Sequence, residues 1–131
     1  MPEDHASYFQ DQRENSTPEF WARFGARPEV AGKRVLDLGC GHGALALDLA
    51  SRGAQVLALD LDGARVDWAA ENVHAEPPGK IEFRMADFTT LGLENEFDVI
   101  VSKDTFEHVE HLDRLLAAMR RALNETGRIW A

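Results

Sequence analysis

The sequence has one cysteine, one tyrosine and no long apolar run, and its 14 Lys and Arg residues are outnumbered by 23 Asp and Glu. Each shortage excludes something. A lone thiol, Cys40, cannot form an intrachain disulfide. The opening segment MPEDHASYFQ has neither the basic start nor the apolar stretch of a secretory signal. A reducing, cytoplasmic setting is therefore expected. No segment approaches the ~20 apolar residues of a membrane-spanning helix, so no membrane partner is expected. A net charge of −9 disfavours DNA or RNA, which proteins bind through clustered Lys and Arg that displace counterions. There remain 131 residues, 44% of them apolar. That is enough for one globular domain burying roughly two-thirds of its unfolded surface.

The chain is richest in meaning at Val35-Leu36-Asp37-Leu38-Gly39-Cys40-Gly41-His42-Gly43. An apolar strand carries an acid near its end and runs into three alternating glycines. Glycine permits positive φ and has no Cβ, so a ligand can lie against the backbone, and the helix that follows offers unpaired N–H groups. The spacing narrows the choice of ligand. A dinucleotide fingerprint is G-x-G-x-x-G, whereas here the third glycine falls one position early. A phosphate-binding P-loop needs Lys-Ser or Lys-Thr after its last glycine, and neither pair stands nearby.

Strand-like and helix-like patterns alternate from residue 33 onward. Strands are expected at 33–38, 55–59, 80–85 and 97–102, and a fifth at 128–131 after the turn Asn124-Glu125-Thr126-Gly127. Helices are expected at 44–51, with Gly53 as a stop signal, and at 63–73, capped by Asp62. A third helix carries Leu112, Leu115, Leu116, Met119 and Leu123 on one stripe. This alternation predicts a doubly wound, Rossmann-like parallel sheet of about five strands with helices on both faces. Residues 1–32 differ in character and form a separate helical segment before the core at 33–131. Phe20, Trp21 and Phe24 share a helical face there, consistent with packing on the sheet edge, with a lid over a ligand, or with both.

In a doubly wound sheet the ligand lies beyond the carboxyl ends of the strands, beside the first strand. Asp60 closes the second strand, where a carboxylate can accept from both hydroxyls of a ribose. A helix-capping role is the alternative, and Asp62 suits that better. Asp87 follows the third strand, placed to accept from an adenine amino group with Phe88 packed beside it, or to form a turn.

Taken together, VLDLGCGHG, LALDLD, MADF, FDVIVSKDTFEHV and NETGRIW resemble, in order and spacing, the motifs of the class I S-adenosylmethionine (SAM) dependent methyltransferases. Within that family the Glu-His-Val after the fourth strand is similar to small-molecule members such as the ubiquinone-biosynthesis O-methyltransferases. The resemblance implies methyl transfer from SAM to a small-molecule acceptor, with S-adenosylhomocysteine (SAH) as product. It implies that Asp37 and the backbone of Gly39, Cys40, Gly41 and Gly43 hold the methionine portion. Asp60 with Leu61 would hold the ribose end, and Ala86, Asp87 and Phe88 the adenine. Ser102 and Lys103 would line the methionine and methyl-donor side. Glu-Thr-Gly replaces the family's usual Pro-Gly-Gly before the fifth strand, and Gly127 keeps the tight bend.

Transfer is an in-line attack on the sulfonium methyl, in which alignment supplies most of the acceleration. A base is needed only for a protonated nucleophile. His108 is the candidate, with a role in starting the next helix as the alternative. Asp104, Glu107 and His108 stand at i, i+3, i+4 and could hold a divalent ion, although a solvated face explains them better and no metal is expected. The family's sheet normally has seven strands, and the last two are lacking here, so the C-terminal part of the substrate wall is expected to be missing. A SAM- or SAH-binding module without turnover is therefore the alternative function, and an NAD-dependent oxidoreductase a lesser one. An uncovered fifth strand is an association template, so a homodimer is expected.

Overall fold

The computed structural model describes residues 4–103, 105–106 and 109–131. Five strands make one parallel sheet: β1 (Arg34–Leu38), β2 (Gln55–Asp60), β3 (Lys80–Met85), β4 (Phe97–Ser102) and β5 (Leu123–Trp130), ordered β3-β2-β1-β4-β5. The chain winds outward from β1 to β3, then crosses back to β4 on β1's other side. That reversal opens a crevice between the carboxyl ends of β1 and β4.

Strand alternation sends the core to two faces. Val35, Val56, Ala58, Val99 and Val101 pack under α2 (Thr17–Phe24) and α3 (Ala44–Ser51), whereas Leu36, Leu57, Leu59 and Ile100 pack under α5 (Leu112–Ala122). Helix α4 (Gly63–Asn72) covers β3 and β2, and Asp62 caps it by accepting from the N–H groups of Ala64 and Arg65. The central strands are buried on both sides, so they read as near-continuous apolar runs. Gly43 shows how tightly the layers meet. Its φ is +93°, and a Cβ there would sit 2.9 Å from the Phe83 ring.

Two expectations at the C-terminal side are corrected. The buried stripe of α5 is Leu115, Ala118, Met119 and Ala122, while Leu112 and Leu116 are exposed and Leu123 has left the helix. Two alanines let the helix approach the sheet more closely than leucines would. Strand β5 begins at Leu123, directly after α5 and without an intervening turn. Phe97 pairs with Leu123 and Val99 with Arg128, so residues 124–127 are taken up as an irregularity in the pairing. Gly127 serves close approach: a Cβ there would meet Leu123 Cδ2 at 2.6 Å and the Phe97 carbonyl at 3.0 Å.

The N-terminal segment is α1 (His5–Asp11), a π-helical turn over Gln12–Ser16, and α2. Phe20 and Trp21 of α2 enter the core. Trp21 and Phe24 meet Trp130 of β5 edge-on, with centroids 6.0 and 5.0 Å away. The Trp21 indole donates to Asp48 Oδ2 at 2.8 Å, fastening α2 to α3. Helix α2 is thus packed on the sheet, while α1 reaches the glycine loop through His5 against His42. Among the described residues no helix is long and apolar enough to cross a membrane.

Candidate functional site

A cleft of about 740 Å³ opens at the carboxyl ends of β1, β2, β3 and β4. Its walls include Asp37, Gly39, Cys40, Gly41, Asp60, Leu61, Ala86, Asp87, Phe88 and Lys103. Those are ten of the residues singled out from sequence, brought together from four separate strand ends. Gly43 and Ser102 are not in its wall. Gly43 is buried behind the loop against Phe83 and Ala69, and the Ser102 hydroxyl donates to the Leu38 carbonyl at 3.2 Å. Both positions shape the site without lining it. His108, the candidate base, and Asp104 and Glu107, the candidate metal ligands, lie outside the described residues.

The glycine loop curls back on the protein. Its N–H groups turn inward: those of Gly39 and Cys40 both donate to the Leu59 carbonyl at 2.9 Å, and that of Gly43 to the Cys40 carbonyl at 3.0 Å. The Gly41 N–H donates to Asp60 Oδ2 at 2.8 Å. Positive φ at Gly39, Gly41 and Gly43 (80°, 53° and 93°) allows this curl. The loop therefore offers a ligand surface and shape, with those four N–H donors already committed. A Cβ at Gly39 would collide with Thr105 Oγ1, which itself donates to the Leu38 carbonyl at 3.2 Å.

Asp60 also accepts from the Asp62 N–H at 2.9 Å, so the second-strand acid holds the loop's shape as well as facing the cleft. Each carboxylate oxygen has a second lone pair for a ligand hydroxyl. Asp87 accepts from the Thr89 N–H at 3.0 Å and from its hydroxyl at 2.7 Å, capping a short 3-10 turn, Phe88–Thr90, while still facing the cleft. In the same wall Leu61 stands 73% exposed and Phe88 is buried. Both give the cleft apolar surface on which a planar ring can rest.

Asp37 is the most constrained group. It is 1% exposed, and its Oδ2 has no hydrogen-bond partner among the described residues. Burial pushes its carboxyl up to about 7, the neighbouring Asp60 pushing the same way and Lys103 pulling it back. An acid so placed gains by meeting a cation. Burial, with Asp37 and Asp60 beside it, also drives the Cys40 thiol far above its usual value, which keeps it neutral and unreactive.

Several wall residues carry no sequence signal. Gln12, Arg65, Thr105 and Arg114 reach the cleft through tertiary packing alone. His42 is 1% exposed and sits in a ring cluster with His5, Tyr8 and Trp68.

The methyltransferase domain family matches residues 36–131, the span from β1 to β5 that builds this cleft. The chain belongs to that family, among the class I SAM-dependent methyltransferases. A ubiquinone biosynthesis O-methyltransferase from Acinetobacter baylyi is 32% identical over 103 residues, 77% of this chain and 43% of the relative. The solved SAM-dependent methyltransferase from Mesorhizobium loti superposes with a TM-score of 0.72 at 32% identity, over 86% of this chain and 49% of that one. Phosphoethanolamine N-methyltransferase 2 from Haemonchus contortus, solved in complex with SAM, gives 0.76 at 33% identity over 88% of this chain and 27% of that one. This methyltransferase domain thus spans less than half the length of these relatives.

The residues present fit SAM as the family's methyl donor. The buried, unpartnered Asp37 oxygen calls for a cationic group. Asp60 has acceptor capacity to spare, and Leu61 and Phe88 give the wall apolar surface for a ring.

Proposed function

We propose that this domain binds SAM in the 740 Å³ cleft and moves its methyl group to an oxygen, nitrogen or carbon nucleophile of a small-molecule acceptor. The observation that carries the reading is the convergence of Asp37, Asp60 and Asp87 on one cleft around a glycine loop shaped by Asp60 itself. Asp37 would hold the ligand's ammonium, Asp60 its ribose hydroxyls and Asp87 its adenine amino group, with Leu61 and Phe88 against the ring. The bound donor supplies a sulfonium methyl that is already electrophilic.

What the chain must add is alignment and exclusion of water. Lys103 borders both this cleft and a second hollow of about 470 Å³ formed with Ser16, Glu19, Phe20 and Arg23. The acceptor would approach along that side, and His108 would take its proton where the nucleophile is protonated. The net charge of −9 supports a small molecule over a nucleic acid as acceptor. The lone buried thiol suits a cytoplasmic setting, and β5 at the sheet edge suits a homodimer.

A screen of phenols, amines and carboxylates with SAM tests this, read by mass spectrometry for methylated product and SAH formed in equal amounts. Turnover on at least one class is expected, with His108→Ala slowing protonated nucleophiles about a hundredfold. Tight SAH binding with no turnover on any class would instead make the chain a SAM-binding module.

A further inference from the structure

One side chain from the N-terminal segment reaches the cleft. Gln12 is the first residue of the π-helical turn Gln12–Ser16, whose closing bond runs from the Thr17 N–H to the Gln12 carbonyl. Single π turns occur often at functional sites, because the extra residue re-aims side chains that an α-helix would direct elsewhere. Here the Gln12 amide lies over the glycine loop, with Nε2 3.5 Å from the place a Cβ on Gly41 would occupy and 3.5 Å from His42 Nδ1. Four residues on, the Ser16 hydroxyl accepts from Lys103 Nζ at 3.3 Å. The turn thus touches both the loop and the end of β4.

The loop's own chemistry leaves a gap that this amide fills. An amino-acid ligand with its ammonium at Asp37 must bring a carboxylate into the same end of the cleft. The N–H groups of Gly39, Cys40, Gly41 and Gly43 are all spent within the protein, so they cannot receive it. Asp37 and Asp60 repel it. A donor from a side chain is required. Lys103, which acts on Asp37 from the same wall, is a charged one, and the Gln12 amide is a neutral second, with two N–H groups, one of which remains for a ligand when the other meets His42. His42 is held in place by His5, whose Nδ1 lies 2.9 Å from its Nε2, and by Tyr8 stacked on its ring at 5.6 Å. The amide therefore rests on a braced support at the correct end of the cleft.

We propose that Gln12 is a ligand-binding residue of this cleft, donating through its side-chain amide to the carboxylate of the amino-acid end of SAM and SAH. The assignment rests on the SAM reading of the cleft. It makes α1 and the π turn part of the binding site, so affinity for ligands with an amino-acid end depends on a segment outside the 36–131 family match.

Titration calorimetry on the full chain tests this with two ligands, SAH and methylthioadenosine, the second lacking the amino and carboxylate groups. Gln12→Ala is expected to weaken SAH about tenfold, the usual loss of a hydrogen bond to a charged group, and to leave methylthioadenosine within about twofold. Gln12→Glu, of the same shape, sets a carboxylate against a carboxylate and should weaken SAH further than alanine does. Unchanged SAH affinity in both variants overturns the assignment, as does an equal loss for both ligands, which would mean that the segment only supports the fold. A wild-type chain that binds neither ligand instead overturns the SAM reading, and the Gln12 assignment falls with it.

Discussion

Asp37 carries the sharpest consequence at the scale of single residues. Its folded-state value of about 7 lies above the ordinary 3.8, and burial is the main cause. Between those two values the folded protein holds a proton that the unfolded chain has released. Asp37 therefore makes stability fall as pH rises through that window and level off above about 7. A ligand ammonium at Asp37 favours the ionised form and reverses the burial effect. SAH binding near pH 6 should accordingly release a proton, seen as a calorimetric heat that changes with the ionisation enthalpy of the buffer, and this release should vanish by roughly pH 8.5. In Asp37→Asn the release should be gone at both. Buffer-independent heat at the lower pH in the native protein would show that no cation meets Asp37.

The elements of the sheet were legible because each central strand is covered on both faces and reads as a solid apolar run ending at a polar loop. Asp37, Asp60 and Asp87 were legible for the same reason: each stands at or just past a strand end, where a doubly wound sheet places its ligand. Gln12 and Thr105 were not, since nothing local distinguishes a cleft-facing glutamine or threonine from a solvated one. Asn124-Glu125-Thr126-Gly127 misled because turn chemistry and a pairing irregularity draw on the same residues. The third glycine was legible as a glycine, and the structure adds that Gly43 packs closely against Phe83 of β3. Gly43→Ala should cost about 2–4 kcal/mol, combining a left-handed backbone with overlap against Phe83. Gly92→Ala, with φ +65° and nothing within 4 Å of a Cβ, should cost only about 1–2 kcal/mol. Urea denaturation of the two variants checks this, and equal losses would remove the packing role.

For the whole molecule, the order β3-β2-β1-β4-β5 decides where chemistry can happen, because only at the β1–β4 reversal do adjacent crossovers leave in opposite directions. The glycine loop, Asp60 and the β4 end with Lys103 all meet there. The N-terminal segment then lies against that opening from above, through Gln12 at the loop and Ser16 at Lys103. The same architecture could serve a dinucleotide, so the central claim is that this cleft takes SAM and SAH. Side-by-side calorimetric titration of the chain with SAH and NAD tests it most directly. The account predicts saturable one-to-one binding of SAH, with a dissociation constant on the order of micromolar, and no binding of NAD. Saturable binding of NAD, with no heat from SAH, would contradict it.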